Sequence, residues 1–247
     1  MKLTDHTVLI TGGSSGIGLA LVKAFLDRKN QVIIVGRNEQ KLARAKALHP
    51  GITTYACDIG EPEQLNKLVR EISSHHPGLN LLINNAGTQQ LHSFIDTAPS
   101  DAVHREIEQE IAINLTSPIV LISSLLPLLR SQKQAAIVNV TSGLGLVPKQ
   151  SAPVYCATKA GLHLFTKALR YQLEHTSIKV YELIPPVVDT DMTRGRGSGK
   201  ISPEQVATEF MAYLERDRYE MPIGKVKLLT ALNRWLPFFA ERILKNS

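Results

Sequence analysis

The sequence predicts a single α/β domain: a doubly wound parallel sheet of about seven strands with helices on both faces. Three observations carry that expectation. Apolar β-rich runs alternate with helix-period segments along the whole chain. Several of the runs, Val32-Ile33-Ile34-Val35 among them, are apolar without polar alternation, as strands covered on both faces are. A glycine-rich turn also follows the first run and opens the first helix.

In chain order, a strand is expected over Thr7–Thr11. A helix follows over Ile17–Lys29, with Leu21, Val22, Phe25 and Leu26 forming its core stripe. Strands at Gln31–Val35, Ile52–Ala56 and Leu79–Asn84 alternate with helices at Glu39–Leu48 and Pro62–His75. Pro62 suits a first helical turn, where no N–H is needed. The longest helical stretch, Ala102–Arg130, contains Pro118 and Pro127, which should bend it or end it early. Strands at Ala135–Val140 and Ile178–Ile184 bracket a helix over Pro153–His175. A helix over Pro203–Glu215, with Pro203 in its first turn, leads to a short last strand over Arg218–Ile223. The Gly/Ser/Arg-rich segment Thr193–Lys200 reads as a mobile loop, within a flap over residues 193–217. Residues 225–245 read as an amphipathic segment that Pro237 interrupts.

Of the 247 residues, 43% are hydrophobic and 20% charged, an ordinary globular balance. Cys57 and Cys156 form no CxxC pair, which suggests reduced thiols in a cytoplasmic protein; no metal is expected. The net charge of +6 is scattered over helix surfaces rather than gathered in a block. It reads as a solvated basic surface, or as a modest pull on anionic cofactors or membranes, and not as a nucleic-acid footprint. The N-terminus lacks a long apolar region and no run approaches a bilayer span, so neither a signal peptide nor a membrane span is expected.

The turn Thr11-Gly12-Gly13-Ser14-Ser15-Gly16-Ile17-Gly18 has the spacing G-x-x-x-G-x-G. Small residues let the backbone turn sharply and approach a ligand, and N–H groups at the helix start favour a pyrophosphate. Gly18 would let the helix pack closely; the alternative is a glycine turn with no ligand. At the end of the second strand an acid would bind the ribose 2′-OH of NAD, whereas an arginine favours the 2′-phosphate of NADP. Gly36-Arg37-Asn38 carries no acid there, so Arg37 points to NADP(H) over NAD(H), unless it is only a surface charge. Asp58, with Ile59 beside it, reads as an adenine contact or as a cap for the helix near Glu61.

Tyr155-Cys156-Ala157-Thr158-Lys159 puts a phenol and an ammonium on one helix face. A nearby cation favours phenolate, which brings a poor acid/base nearer to working pH. Ser142, after the fifth strand, stands where a hydroxyl can hold a substrate carbonyl in the crevice at the strands' carboxyl ends. A tyrosine and lysine on an exposed helix face is the competing reading of Y-x-x-x-K.

With these motifs in this order, together with Asn84-Asn85-Ala86-Gly87 and Asn114, the chain resembles the short-chain dehydrogenase/reductase family over about residues 5 to 190. The resemblance implies a Rossmann-type oxidoreductase moving a hydride between nicotinamide and a carbonyl/alcohol pair. It implies Tyr155 as acid/base, Ser142 polarising the carbonyl, and Lys159 binding the nicotinamide ribose. Asn114 would hold a water in a proton relay through Lys159; on its residues alone it could equally be a satisfied core amide. Asn85, Ala86 and Gly87 would line the cofactor, where the physical alternative is an ordinary polar turn. Val188 and Thr190 would meet the nicotinamide carboxamide. The family's usual Pro-Gly is Pro185-Pro186 here, and Pro186 offers neither glycine's φ freedom nor an N–H. Assembly as a homodimer or homotetramer through the 102–130 and 153–175 helices is likewise implied.

The tail resembles a bacterial subgroup named after operons for teichoic-acid D-alanylation, a name that supplies no substrate. Its apolar stripe is read as covering a core or a neighbouring subunit, with a membrane-surface helix or substrate lid as alternatives. Gln89, Gln90, Leu91, Phe94, Leu144, Val147 and Val187 would wall the pocket for a small-molecule carbonyl or alcohol. Two other readings are an NADPH-binding regulatory or scaffold protein without turnover, and a reductase of acyl-carrier-protein thioesters.

Overall fold

Seven parallel strands stand in the order β3-β2-β1-β4-β5-β6-β7. They are β1 (Thr7–Thr11), β2 (Gln31–Gly36), β3 (Thr53–Ala56), β4 (Leu79–Asn84), β5 (Ala135–Val140), β6 (Ile178–Ile184) and β7 (Glu220–Pro222). Between them run α1 (Gly16–Leu26), α2 (Glu39–Leu48), α3 (Pro62–His75), α4 (Asp101–Ile111), α5 (Ser117–Arg130), α6 (Pro153–Gln172) and α7 (Pro203–Glu215). Two further helices, α8 (Val226–Trp235) and α9 (Pro237–Leu244), close the chain. This computed structural model describes residues 1–195 and 197–245. Arg196, within the expected flap, and Asn246 and Ser247 at the end of the expected domain lie outside the described residues.

The uninterrupted apolar strands bury both faces. Val8 and Ile10 of β1, with Ile34, Ile83 and Val138, pack under α1 and α7, and Leu42 and Ala45 of α2 join that core. Leu9 points the other way, with Ile33, Leu82 and Ile137, beneath α3, α5 and α6. The strand period of two thus feeds two cores at once. α7 puts Val206, Phe210, Met211 and Leu214 into the first core, and Phe210 meets Phe25 of α1 edge-on at 6.2 Å between ring centroids. The stretch expected as a flap over residues 193–217 therefore divides: its second half is a core helix.

Boundaries differ from expectation where the backbone leaves helical space. α1 ends at Leu26 rather than Lys29, because Lys29 turns to φ +61° and Asn30 Nδ2 donates to the Phe25 carbonyl at 2.9 Å. β7 is confined to Glu220–Pro222 after Asp217 turns at φ +52°. Pro118 and Pro127 do not end the long helix, which runs from Asp101 to Arg130. Its irregularity is a π turn over Ala112–Thr116, immediately before Pro118. Pro118 has no N–H for the Asn114 carbonyl and its ring would crowd it, so the widened turn relieves both. Ser117 N–H instead reaches the Ala112 carbonyl. This stretch is long and apolar enough to cross a bilayer by length and composition alone. Leu121, Ile122, Leu125 and Leu129 of α5 nevertheless lie in the second core.

The break between α8 and α9 falls at Leu236, next to Pro237, as expected.

Replacing Phe210 with Ala should cost about 3–5 kcal/mol and lower the thermal midpoint by roughly 6–20 °C, because it empties a fully buried aromatic site. A calorimetric midpoint equal to the unmodified protein's would exclude the clasp between α1 and α7 from the cooperative core.

Candidate active site

The strand order reverses between β1 and β4, which opens a crevice at their carboxyl ends. The glycine-rich turn sits there. Gly12 has φ +67°, donates its N–H to the Val35 carbonyl at 2.8 Å, and a Cβ on it would lie 2.9 Å from Ala86 Cα. A Cβ on Gly18 would fall 2.2 Å from the Gly12 carbonyl oxygen, so α1 begins hard against the turn. Thr11 Oγ1 accepts from the N–H groups of Asn85 and Ala86, each at 3.0 Å. Asn85 Nδ2 donates back to the carbonyls of Thr11 at 2.9 Å and Gly12 at 3.2 Å. The Asn85 side chain is thus occupied in joining the loop after β4 to the turn. Ser15 precedes α1 with extended backbone and no side-chain cap bond, and no acid stands in the first turn. The positive end of the α1 dipole is left for an anion, beside the crevice.

Arg37 leaves the end of β2 with 62% of its side chain exposed, and its Nη1 is 4.0 Å from Asp58 Oδ2 at the end of β3. At that exposure and distance the pair holds the guanidinium only weakly. Ser14 lies alongside, with its Oγ 3.1 Å from a Cβ built on Gly36. Asp58 does not cap α3, whose N-cap is Glu61. Its Oδ1 accepts from Gly60 N–H at 3.0 Å instead, closing a local turn. Ile59 is a core residue packed with α3 and α5, and its carbonyl accepts from Ser117 Oγ at 2.6 Å. Only its backbone N–H is left to face a ligand.

Lys159 is buried, and its Nζ donates to the Val140 carbonyl at 2.9 Å where β5 ends. The same Nζ stands 5.7 Å from the centre of the half-buried Tyr155 ring. A Cβ on Gly87 would meet it at 3.6 Å and Asn114 Oδ1 at 3.2 Å. Burial pushes the Lys159 ammonium down to about 8, partly opposed by the negative charge of Glu110. Ser142 caps a 3-10 turn over Gly143–Gly145, and its Oγ accepts from Leu144 N–H at 3.1 Å. That turn lies directly on α6: a Cβ on Gly145 would fall 2.8 Å from the Lys159 carbonyl carbon.

Asn114 sits in the π turn, fully buried. Its side chain accepts from Thr88 N–H at 2.9 Å and donates to the Thr88 carbonyl at 2.8 Å and Thr158 Oγ1 at 3.2 Å. The side-chain amide is therefore committed to protein partners. Glu110, four residues earlier on the same helix face, accepts from Gln90 N–H at 3.3 Å and stands 3.7 Å from His92 Nε2. Burial raises the Glu110 carboxyl above its ordinary value. This pair went unnoticed in the sequence, although the i, i+4 relation to Asn114 was there to read. After β6, Val188 is buried and bridges to Ile201. Thr190 presents its methyl to Gly16, 2.9 Å from a Cβ built there, and caps the turn at Asp191–Thr193. Pro186 sits 3.8 Å from a Cβ on Gly224, while Pro185 supplies a carbonyl to Gly143 N–H at 3.3 Å. Among the described residues no group of three or more His, Cys, Asp or Glu is placed to hold a metal ion.

The family model for short chain dehydrogenase matches residues 6–200. A Bacillus subtilis relative described as the uncharacterized oxidoreductase DltE is 41% identical over 240 residues, covering 95% of this chain and 94% of the relative. A Staphylococcus epidermidis protein, also described as an uncharacterized oxidoreductase, is 30% identical over 200 residues, covering 81% and 85%. Among solved structures, a short chain dehydrogenase from Burkholderia cenocepacia in complex with NADP superimposes with a TM-score of 0.87 at 23% identity, over 100% of both chains. A short chain dehydrogenase/reductase from Burkholderia phymatum in complex with NAD gives 0.84 at 20% identity, over 100% of this chain and 97% of that one.

The depressed Lys159 value makes a signed prediction about stability. Unfolded, the amine titrates near 10.5; folded, near 8. Below about 8 both states are protonated and the fold bears the full cost of the buried charge. Stability contributed by this group rises as pH climbs from about 8 to 10.5. Lys159→Met should therefore raise the melting temperature of the free protein at pH 7 by a few degrees and flatten that alkaline rise. A lower midpoint at pH 7, followed by differential scanning fluorimetry, would show that the bond to Val140 outweighs the desolvation.

Proposed function

The chain belongs to the short-chain dehydrogenase family of oxidoreductases, and from that premise we propose that it is an NADP(H)-dependent enzyme interconverting a carbonyl and an alcohol, with Tyr155 as the proton-transferring group. The observation that carries this reading is the buried Lys159 ammonium, 5.7 Å from the Tyr155 ring and anchored at the end of β5. The residues fit a dinucleotide. The α1 start has no acid in its first turn, the glycine turn offers close backbone approach, and Arg37 stands exposed at the end of β2, held only loosely by Asp58.

In this reading Gly12, Ser14, Ser15, Gly16, Ile17 and Gly18 receive the pyrophosphate, and Gly18 does so by keeping the helix start close. Arg37 takes the 2′-phosphate. Asp58 and the Ile59 N–H face the adenine. Ala86 and Gly87 line the ribose side, while Asn85 holds their loop in place. Lys159 holds the nicotinamide ribose, and Val188 through its backbone and Thr190 meet the carboxamide. When bound, the dinucleotide supplies or accepts the hydride.

The chain's own residues manage the proton. Ser142 Oγ donates a hydrogen bond to the substrate oxygen and orients the carbonyl carbon. Tyr155 gives its phenolic proton to that oxygen during reduction, and takes it back during oxidation. The Lys159 cation lowers the cost of the phenolate left behind. Re-protonation runs through Lys159 toward Asn114. There the side-chain amide is committed to Thr88 and Thr158, so the relay would pass by the Asn114 main chain.

Ile111 of α4 with Leu164 and Tyr171 of α6 are exposed, which supports a homodimer or homotetramer formed through these helices. Cys57 and Cys156, both buried and unpaired, suit a cytoplasmic location.

Tyr155→Phe should lower turnover by about 10²–10⁴-fold while leaving NADPH binding within two-fold or so, measured by NADPH absorbance and fluorescence titration. Full activity in that variant would eliminate the mechanism. Arg37→Asp should weaken NADPH by about 10–100-fold and leave NADH nearly unchanged. Equal losses for both cofactors would remove the phosphate role from Arg37.

A further inference from the structure

Among the described residues, nine of the fourteen exposed large apolar side chains fall on two short segments. Six are on the last two helices: Leu228 and Trp235 of α8, Leu236 at the break, and Phe238, Phe239 and Ile243 of α9. Three, Leu91, Phe94 and Ile95, are on the loop after β4. The segments meet beside the crevice. His92 N–H donates to the Ser151 carbonyl at 3.2 Å, and Gln150 N–H donates to the Lys245 carbonyl at 3.1 Å. Gln150 and Ser151 are neighbours in the chain, one turn before Tyr155 enters α6. The opposite face of α8 is seated on the Ser142 turn, because a Cβ on Gly143 would meet Leu229 and Val226 at 3.3 Å. α8 and α9 are thus fixed at the mouth, with their apolar sides turned outward.

The charge around that face decides what covers it. From residue 225 onward the described chain carries Lys225, Lys227, Arg234, Arg242 and Lys245 against a single acid, Glu241. Lys227 is paired with Glu209 at 2.6 Å, and Arg234 lies over the Trp235 ring at 5.6 Å. Lys225, Arg242 and Lys245 remain in no ion pair among the described residues. A second copy on the same face would bring these cations against their own equivalents, with one glutamate per chain to offset them. Aromatic rings and aliphatic side chains ringed by Lys and Arg match an anionic bilayer instead: the rings enter the headgroup boundary and the cations meet lipid phosphate. The one acid of the β4 loop's exposed part, Asp96, is turned back onto Ser93 Oγ at 2.5 Å.

We infer that α8 and α9, joined at the crevice mouth by the loop bearing Leu91, Phe94 and Ile95, form a docking surface for anionic phospholipid membranes. The chain rests on the bilayer without crossing it. The mouth beside Tyr155 faces the lipid, and the sheet lies behind.

Trp235 is the single tryptophan of the chain, so its fluorescence reports on this face alone. The full-length protein would be titrated with vesicles of phosphatidylglycerol and phosphatidylcholine in equal parts, and with vesicles of phosphatidylcholine only. Mixed vesicles should shift Trp235 emission to the blue and carry the protein upward in a flotation gradient; about 0.5 M salt should release much of it. Phe238→Ser with Phe239→Ser should weaken flotation about ten-fold or more. Arg242→Glu with Lys245→Glu should do so several-fold. Both pairs lie on the exposed surface, and an unchanged melting temperature checks that each variant folds. Absence of binding to mixed vesicles, or equal binding to both vesicle types, would overturn the inference. So would a Phe238/Phe239 variant that floats normally but dissociates from a dimer to a monomer. None of these readouts requires turnover, so they stand or fall apart from the proposed reaction.

Discussion

A single buried ammonium organises the site. Lys159, whose buried ammonium donates to the Val140 carbonyl and feels the Glu110 charge, brings together four parts of the fold that are distant in sequence. β5 supplies the carbonyl, the loop after β4 supplies the space left by Gly87, the π turn supplies Asn114, and α6 carries both the lysine and Tyr155. Burial that lowers the lysine's own proton affinity is a cost to the free protein. The same burial strengthens its field at the phenol, because little water screens it.

The loops around this centre are held by side chains that do no chemistry in the proposed reaction. Four hydrogen bonds join the glycine turn to the β4 loop: Thr11 takes part in those with Asn85 and Ala86, and Asn85 reaches Gly12 as well. Farther along, Asn114 and Glu110 take hold of Thr88 and Gln90, and His92 packs against Glu110. Alternate residues of an extended loop are thus gripped by one helix face, and the wall of the crevice gains the rigidity of α4. Glu110 is an expensive anchor: one of its oxygens and His92 Nε2 lack hydrogen-bond partners among the described residues. Under deeper burial, such a pair is tolerated where position matters more than stability.

Much of this was legible in the sequence, for physical reasons. Strands buried on both faces must be apolar throughout, so Val32–Val35 and Leu81–Ile83 announced the sheet and its helical covers. Glycines betrayed the turn because Gly12 and Gly18 occupy positions no side chain fits. What escaped notice depended on tertiary pairing. Whether Asp58 caps α3 or closes a local turn is decided by the backbone around Gly60, not by spacing. Asn85 was expected to line the cofactor; that its side-chain amide also ties the loop to the Thr11 and Gly12 carbonyls beside the neighbouring strand could not be read from spacing. Pro118 signalled a disturbance of the long helix correctly in kind. The form it took could not be read, because a widened turn and a kink both answer the same missing N–H.

The π turn has a consequence for how this crevice can change. An α-helix advances about 100° per residue, and a widened turn holds one residue more than a regular one. α4 and α5 are consequently out of phase with each other by that angle: Glu110 of α4, with Asn114 of the π turn itself, holds the crevice wall, while α5 aims Leu121 and Leu125 at the sheet. A deletion of one residue between Ala112 and Thr116 would give a straighter, more regular rod. It would also rotate the gripping face away from the wall it holds, so the irregularity acts as the phase offset that lets one rod serve two surfaces.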